Sequence, residues 1–209
     1  MPIFGVTTTI RMWEPTTNGH VRELVLDAEG KSIDPTVHAS GVIDAGLGVV
    51  NIYKKFIAMM DSVVAEKTIN EWRPFAYDWR FSSLDIANGE LLSEVERLAR
   101  SSKTGKVTVI AHSNGGLVAK ALGLELEKAG KSNLIDKVVF VAVPELGTPL
   151  AVGAMLHGLD QGIFHEIILK EGVARTFGLS LPGAYGLLPS EEYFNRIIDP
   201  VLTFTGKAV

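Results

Sequence analysis

The chain of 209 residues has the length of one ordinary domain, and 46% of its residues are hydrophobic, enough to bury a substantial core. Its formal net charge of −4 provides no basic surface for a phosphate backbone, so we expect neither nucleic acid nor an anionic bilayer as a partner. There is no cysteine, which excludes disulfides, thiolate metal sites and a cysteine nucleophile.

The sequence predicts no targeting or membrane-spanning segment. Its opening, MPIFGVTTTI, lacks a basic region followed by a long apolar core, so we expect no signal peptide and the compartment stays open. The longest apolar run, VVFVAV at Val138–Val143, is far shorter than the roughly 20 residues that cross a bilayer. The five histidines lack the spacing of metal ligands, so we predict no metal site and no cofactor.

The first half of the chain predicts short strands and two helices. The first 45 residues are rich in turns, with strand-like runs at 6–12 and 24–26. From Asn51 to Ala65 the apolar residues recur at helical spacing and predict an amphipathic helix. The aromatic-rich stretch 72–79, WRPFAYDW, favours a strand, and a second amphipathic helix is predicted around residues 91–99.

Residues 106–143 carry the clearest pattern. KVTVIAH predicts a strand, GLVAKALGLELEKAG predicts a helix that ends at Gly130, and DKVVFVAV predicts a strand that ends at Pro144. Both strands are continuously apolar, as in a parallel sheet that is covered on both faces. The order of strands and helices therefore predicts an α/β fold with helices on both faces of a mostly parallel sheet.

Ser113 lies at the junction between the first of these strands and the helix, in A-H-S-N-G. A serine becomes a useful nucleophile when it is exposed, near a base and beside free N–H groups, and a sharp strand-to-helix turn supplies exposure and donors. Such a turn requires small residues around it, here Ala111, Gly115 and Gly116. The pattern fits a nucleophile elbow in which alanine replaces the usual first glycine. The alternative is that Ser113 only caps the helix.

Four blocks of the sequence carry a resemblance to a known family. They are FAYDWR at 75–80, VTVIAHSNGGLVAKAL at 107–122, VAVPELGTPLA at 141–151 and LPGAYGLLPSEEYF at 181–194. In this order they resemble the lecithin:cholesterol acyltransferase-like, lipase-related branch of the α/β-hydrolases. The resemblance covers residues 70–195 well, and LVLDAEGKSIDP and GVIDAG more loosely.

The resemblance implies an α/β-hydrolase-type enzyme that acts on lipid or other acyl esters. It implies an acyl-enzyme on Ser113, followed by transfer to water or to another alcohol. It also implies that the backbone N–H of Asn114 forms half of the oxyanion hole, and that the segment beyond Gly147 belongs to a cap. We accordingly predict a core over residues 1–148 and a cap region over 149–209.

The sequence departs from the family at both ends. In the family the catalytic acid and histidine come beyond the cap, and the late strands of the sheet come with them. Here the histidines after Ser113 are His157 and His165, both inside the cap-like region, so we predict an incomplete sheet that lacks the triad acid and base. The second oxyanion N–H is assigned to Val6 or Thr7.

An internal triad is an alternative with Glu145 as the acid and His165 as the base. His112 precedes the serine and points away from it along the strand, so we interpret it as a packed or hydrogen-bonded residue of the elbow. Asp78 is interpreted as a structural carboxylate that pairs with Arg80.

Two other functions compete with the enzyme. A catalytically incomplete module that binds a lipid or a partner is favoured by the absent acid and histidine. A nucleotide-binding domain is disfavoured because neither G-x-G-x-x-G nor a P-loop lysine motif follows a predicted strand. The run VVFVAV, if no strand lies beside it, predicts a hydrophobic sheet edge and self-association through it.

Overall fold

A computed structural model of the chain describes residues 19, 23–42, 45–46, 50–158 and 171–199. These residues form two compact units. The Ser113 unit comprises the described residues within 38–79 and 83–143, and the Gly147 unit comprises those within 1–37, 80–82 and 144–209. The predicted division into a core over 1–148 and a cap over 149–209 stays a prediction. The strand predicted at 6–12 lies outside the described residues.

Between residues 51 and 141 the Ser113 unit contains the predicted helices and the strands predicted after Gly105, but not the strand predicted at 72–79. Its elements in chain order are β1 (Ala45–Gly46), β2 (Val50–Asn51), α1 (Lys54–Ala65), α2 (Ser83–Ile86), a π-type turn (Ala87–Leu91), α3 (Leu92–Ser101), β3 (Val107–His112), α4 (Gly115–Lys128), a 3-10 turn (Ser132–Leu134) and β4 (Ile135–Val141). The predicted helices at 51–65, 91–99 and 116–130 are thereby confirmed as α1, α3 and α4.

The Gly147 unit is built from short helices. Its elements are α5 (Pro149–His157), α6 (Glu171–Leu179), α7 (Pro182–Tyr185) and α8 (Glu191–Arg196). The strand predicted at 24–26 is present as a single antiparallel bridge between Leu26 and Ser32. Glycines and prolines interrupt the apolar stretches of this unit, which agrees with helices of this length.

β3 and β4 pair in parallel, as their apolar runs predict. Ala111 lies opposite Phe140 and His112 opposite Val141, so the carboxyl ends of both strands meet at one edge. Between them α4 ends where Gly130 adopts a φ of +67°, the left-handed conformation that glycine accepts without steric cost. Helices and a parallel pair of strands together make this an α/β fold.

The core of the Ser113 unit lies between the helices and one face of the sheet. It consists of five buried residues from the π-type turn, α3 and α4, namely Ala87, Val95, Ala121, Leu122 and Leu126. Val107 and Val109 of β3 pack against this cluster, whereas Thr108 and Ile110 on the opposite face are exposed. The sequence predicts helices on both faces of the sheet. Within the described chain, this is confirmed for one face of β3.

Two predicted strands differ from the structure. Residues 72–79 form no strand, because Trp72 instead packs edge-on against Phe56 of α1 and donates its indole N–H to Asp61 at 2.9 Å. Pro74 also has no N–H to give to a sheet ladder. β4 ends at Val141 rather than Val143, because Ala142 turns the chain with a φ of +48°.

Strand β4 is apolar and largely uncovered. Its residues Val138–Val141 are between 39% and 45% exposed. Within the part of the chain that the structure describes, this sheet has two strands, so one side of β4 has no paired neighbour. Self-association through this edge stays a prediction. None of the described helices combines the length and apolar character that a bilayer crossing needs.

Candidate active site

Ser113 directly follows β3, and α4 begins two residues later. Its backbone has a φ of +53°, in the left-handed region that residues other than glycine rarely adopt. The Ser113 N–H donates to the Val141 carbonyl at 2.9 Å, which ties the turn to the end of β4. The residue is exposed and lies at the carboxyl edge of the parallel pair.

Two backbone N–H groups beside the serine are without acceptors in the described chain. The N–H groups of Gly116 and Leu117 donate to the Ser113 and Asn114 carbonyls, both at 3.0 Å, whereas those of Asn114 and Gly115 donate to no described residue. Free N–H groups at the start of a helix carry partial positive charge. The turn can therefore bind a negatively charged oxygen.

The small residues around Ser113 have specific neighbours. Ala111 is buried, and a Cβ placed on Gly115 would lie 3.8 Å from the Tyr77 hydroxyl. A Cβ placed on Gly116 would overlap the side chain of Val143. The absence of a side chain at Gly116 is what lets the first turn of α4 approach the chain that follows β4.

Tyr77 is the residue of this site that sequence reasoning missed. It belongs to the irregular stretch after Trp72, and its hydroxyl would lie 3.8 Å from a Cβ placed on Gly115. Burial raises the pKa of the Tyr77 phenol, while a hydrogen bond from the Asn114 side chain acts in the opposite direction. The amide oxygen Oδ1 of Asn114 is buried and has no hydrogen-bond partner among the described residues.

His112 lies on the other side of the serine and is held by a second tyrosine. Its Nδ1 is 2.6 Å from the Tyr53 hydroxyl, and the two rings meet edge to face with centroids 5.6 Å apart. Tyr53 immediately precedes α1, so this contact joins the start of α1 to the end of β3. The histidine ring is thus already hydrogen-bonded through one of its nitrogens.

The remaining predicted site residues are not among the described residues of the Ser113 unit. Val6, Thr7 and His165 lie outside the described residues. Glu145 is exposed in the turn before Gly147 and belongs to the other compact unit. In the described chain no side chain hydrogen-bonds to the Ser113 hydroxyl. A triad of Ser113, Glu145 and His165 therefore stays a prediction.

In the Gly147 unit, Arg80 forms a buried junction that the sequence also left unassigned. Its side chain is 2% exposed, and its guanidinium donates to the Leu24 and Val37 carbonyls at 3.0 and 3.1 Å and to the Ser32 hydroxyl at 3.3 Å. The Arg80 carbonyl in turn accepts the Gly183 N–H at 3.0 Å. Arg80 thus joins three distant stretches of that unit, and its predicted pairing with Asp78 stays a prediction.

Comparisons with known proteins place these features in one family. Residues 40–200 match the lecithin:cholesterol acyltransferase family. The uncharacterized protein YJR098C of Saccharomyces cerevisiae is 34% identical over 126 residues, which cover 60% of this chain. The chain spans only 18% of the length of that yeast relative. No solved structure matches. Because the family match covers most of the sequence, including the parallel strands and the turn at Ser113, this chain belongs to the lecithin:cholesterol acyltransferase family.

Proposed function

We propose that this chain carries the nucleophile of a serine ester hydrolase or acyltransferase, and that the nucleophile is Ser113. The observation that carries the proposal is an exposed serine in a left-handed turn between a parallel strand and a helix, next to two free N–H groups. Membership of the lecithin:cholesterol acyltransferase family supports acyl chemistry on lipids or related esters. The turn is then the nucleophile elbow of an α/β-hydrolase-type sheet.

The proposed reaction proceeds through an ester on the serine. The Ser113 oxygen attacks the acyl carbonyl, its proton passes to a general base, and the bond to the alcohol breaks as that alcohol takes up a proton. The carbonyl oxygen becomes negative on the way and is bound by the Asn114 N–H. Water or a second alcohol then removes the acyl group from the serine. Val6 stays the proposed source of the other N–H. The acid and base stay unassigned, and Glu145 with His165 is only the alternative pair.

The geometry argues against a simple capping role for Ser113. A capping residue has extended backbone angles, and its side chain accepts the N–H of a residue two or three positions ahead. Ser113 instead has a left-handed backbone, and the residue at the cap position of α4 is Asn114, which makes no side-chain cap bond. A non-glycine residue in this conformation costs about 1 kcal/mol, and such strain is concentrated at functional sites.

A fluorophosphonate probe, which reacts with activated serines, tests the proposal directly. We expect the protein to be labelled and to hydrolyse short acyl esters, and we expect Ser113→Ala to lower turnover by about a thousandfold or more. Ser132→Ala is the matched control, because Ser132 is an exposed serine of the same unit on the 3-10 turn. Unchanged labelling of Ser113→Ala would refute the assignment.

A non-catalytic lipid- or partner-binding module is the second candidate. It is favoured by one observation, that no described side chain hydrogen-bonds to the Ser113 hydroxyl. If this candidate is correct, we expect a folded protein that the fluorophosphonate probe does not label at any concentration. Efficient labelling at Ser113 excludes it.

A further inference from the structure

Tyr77 contributes a contact to the turn that the proposed chemistry does not yet use. Resting on the proposed role of Ser113, we infer that Tyr77 is a positioning residue of the reaction. Its phenol oxygen binds the Asn114 side chain and so holds the Asn114 backbone N–H, the proposed oxyanion donor, in place beside Ser113.

Tyr77 contacts the start of α4 from a distant part of the sequence. Tyr77 lies in the irregular stretch that follows α1, yet its hydroxyl reaches the first residues of α4. The distance from that hydroxyl to a Cβ on Gly115 would be 3.8 Å, an ordinary van der Waals contact. The phenol oxygen therefore lies close to Gly115, which carries one of the two free N–H groups.

The phenol of Tyr77 is hydrogen-bonded to the Asn114 side chain. Because the Asn114 Oδ1 has no hydrogen-bond partner among the described residues, its bond with Tyr77 is made by the amide N–H, which donates to the phenol oxygen. The other end of the amide, Oδ1, is buried without a partner in the described chain. The bond to Tyr77 is thus the contact that fixes the plane of this amide, and its loss would leave a buried amide free to turn.

The Asn114 amide is linked to the reaction through the backbone of the same residue. Asn114 has helical backbone angles and forms the link between the strained Ser113 and α4. A rotation of this residue would move its N–H away from the acyl oxygen, and small errors in the placement of such donors reduce the rate. Burial raises the pKa of Tyr77, which favours the neutral phenol.

The test compares Tyr77→Phe with the unchanged protein by the concentration dependence of fluorophosphonate labelling. We expect the maximal labelling rate to fall about five- to tenfold while the concentration for half-maximal rate stays the same. Tyr185→Phe is the matched control, because it removes a phenol hydrogen bond, to the Leu179 carbonyl at 3.0 Å, in the other unit. A purely structural role of Tyr77 would lower the melting temperature and leave the maximal rate unchanged.

A double-mutant cycle shows whether Tyr77 acts through Asn114. Asn114→Ala removes the amide and keeps the backbone N–H, so we expect a loss similar to that of Tyr77→Phe. Adding Tyr77→Phe to Asn114→Ala should produce no further loss, because both changes break one interaction. If Tyr77→Phe does not fold, the rate of Asn114→Ala still tests the inference, since an unchanged rate contradicts it.

The outcomes separate this inference from the proposed function. If the protein is labelled at Ser113 and Tyr77→Phe reacts at the normal rate, the positioning role is wrong and the nucleophile stands. If the two losses multiply in the double variant, Tyr77 does not act through Asn114 and the inference is overturned. If the unchanged protein is not labelled, or Ser113→Ala is labelled equally, the proposed function fails and the inference fails with it.

Discussion

Several turns of this molecule place the backbone in the left-handed region, and the turns at Gly147 and Ser113 do so with different kinds of residue. In the Gly147 unit the φ of +82° belongs to a glycine, which accepts it without a steric cost. In the Ser113 unit the φ of +53° belongs to a serine, where this conformation costs about 1 kcal/mol because the residue has a Cβ. The comparison shows that glycine avoids at Gly147 a steric cost that the chain accepts at Ser113, where a side chain able to react is present. Lys67 and Ala142 also have a positive φ, so this conformation alone does not mark a site.

The largest expected effect is on the Gly147 turn. A Cβ there would overlap the Leu188 carbonyl. It would push apart two chain segments that are joined by backbone hydrogen bonds from Thr148 to Leu187 and from Ser190 to Leu146. We expect Gly147→Ala to lower the free energy of unfolding by about 3 kcal/mol, measured by urea denaturation.

Gly105 provides the control for this variant. Its φ is +69°, and no atom lies within 4 Å of a Cβ placed on it. Gly105→Ala therefore carries the backbone strain without the overlap, and we expect a loss of about 1 kcal/mol. Equal losses in the two alanine variants would show that overlap contributes nothing at Gly147.

A smaller effect is expected at the start of α4, next to Ser113. Alanine is favoured over glycine by about 1 kcal/mol in a helix interior, but at Gly116 its methyl group would overlap Val143. We expect Gly116→Ala to lower the free energy of unfolding by about 2 kcal/mol. Gly123 lies in the same helix with nothing within 4 Å, so Gly123→Ala should raise stability. A gain in both variants would contradict the packing described here.

The strain at Ser113 itself can be measured by two substitutions that both remove the hydroxyl. Ser113→Gly relieves the left-handed conformation, whereas Ser113→Ala retains it. We expect the glycine variant to be more stable by about 1 kcal/mol, in a chemical denaturation experiment. An alanine variant that is equally stable or more stable would remove the contrast between the two turns.

The smallest expected effect is on the pH dependence of the melting temperature, through the ion pairs that Arg97 of α3 makes. Hydrogen bonds from Arg97 of α3 lower the pKa of Glu71 and of Glu94, with nitrogen-to-oxygen distances of 2.7 and 2.9 Å. A carboxyl with a lowered folded-state pKa stabilises above its unfolded pKa, and this contribution is lost as the pH falls. The melting temperature should therefore fall less between about pH 6 and pH 3.5 in Glu71→Gln than in the unchanged protein. Parallel curves would contradict this.

The part of the fold that the sequence predicts best is the part whose residues interact with near neighbours. The apolar runs of β3 and β4, the periodicity of α4 and the glycine at its end are local signals, and each is confirmed. The strand predicted at 72–79 is wrong, because aromatic residues favour a strand only where a partner strand is present. Trp72 has α1 as its neighbour instead.

The site shows the same limit. The position of Ser113 between a strand and a helix, and the need for small residues at Gly115 and Gly116, can be predicted from spacing alone. Nothing local to Tyr53 or Tyr77 indicates that their hydroxyls meet His112 and Asn114, since those contacts depend on how distant stretches pack. Arg80 is similar, because its guanidinium donates to backbone carbonyls, which any sequence would provide, as well as to the Ser32 hydroxyl.

The uncovered strand β4 has a practical consequence for handling this protein. Val138–Val141 is a short, uncharged stretch of mainly β-branched residues with exposed side chains, the composition that favours intermolecular strand pairing while chains are still folding. Recovery of native protein from denaturant should therefore decline as the chain concentration rises. A lysine in place of Val139, which lies in the middle of that stretch and is 45% exposed, should restore the yield at high concentration.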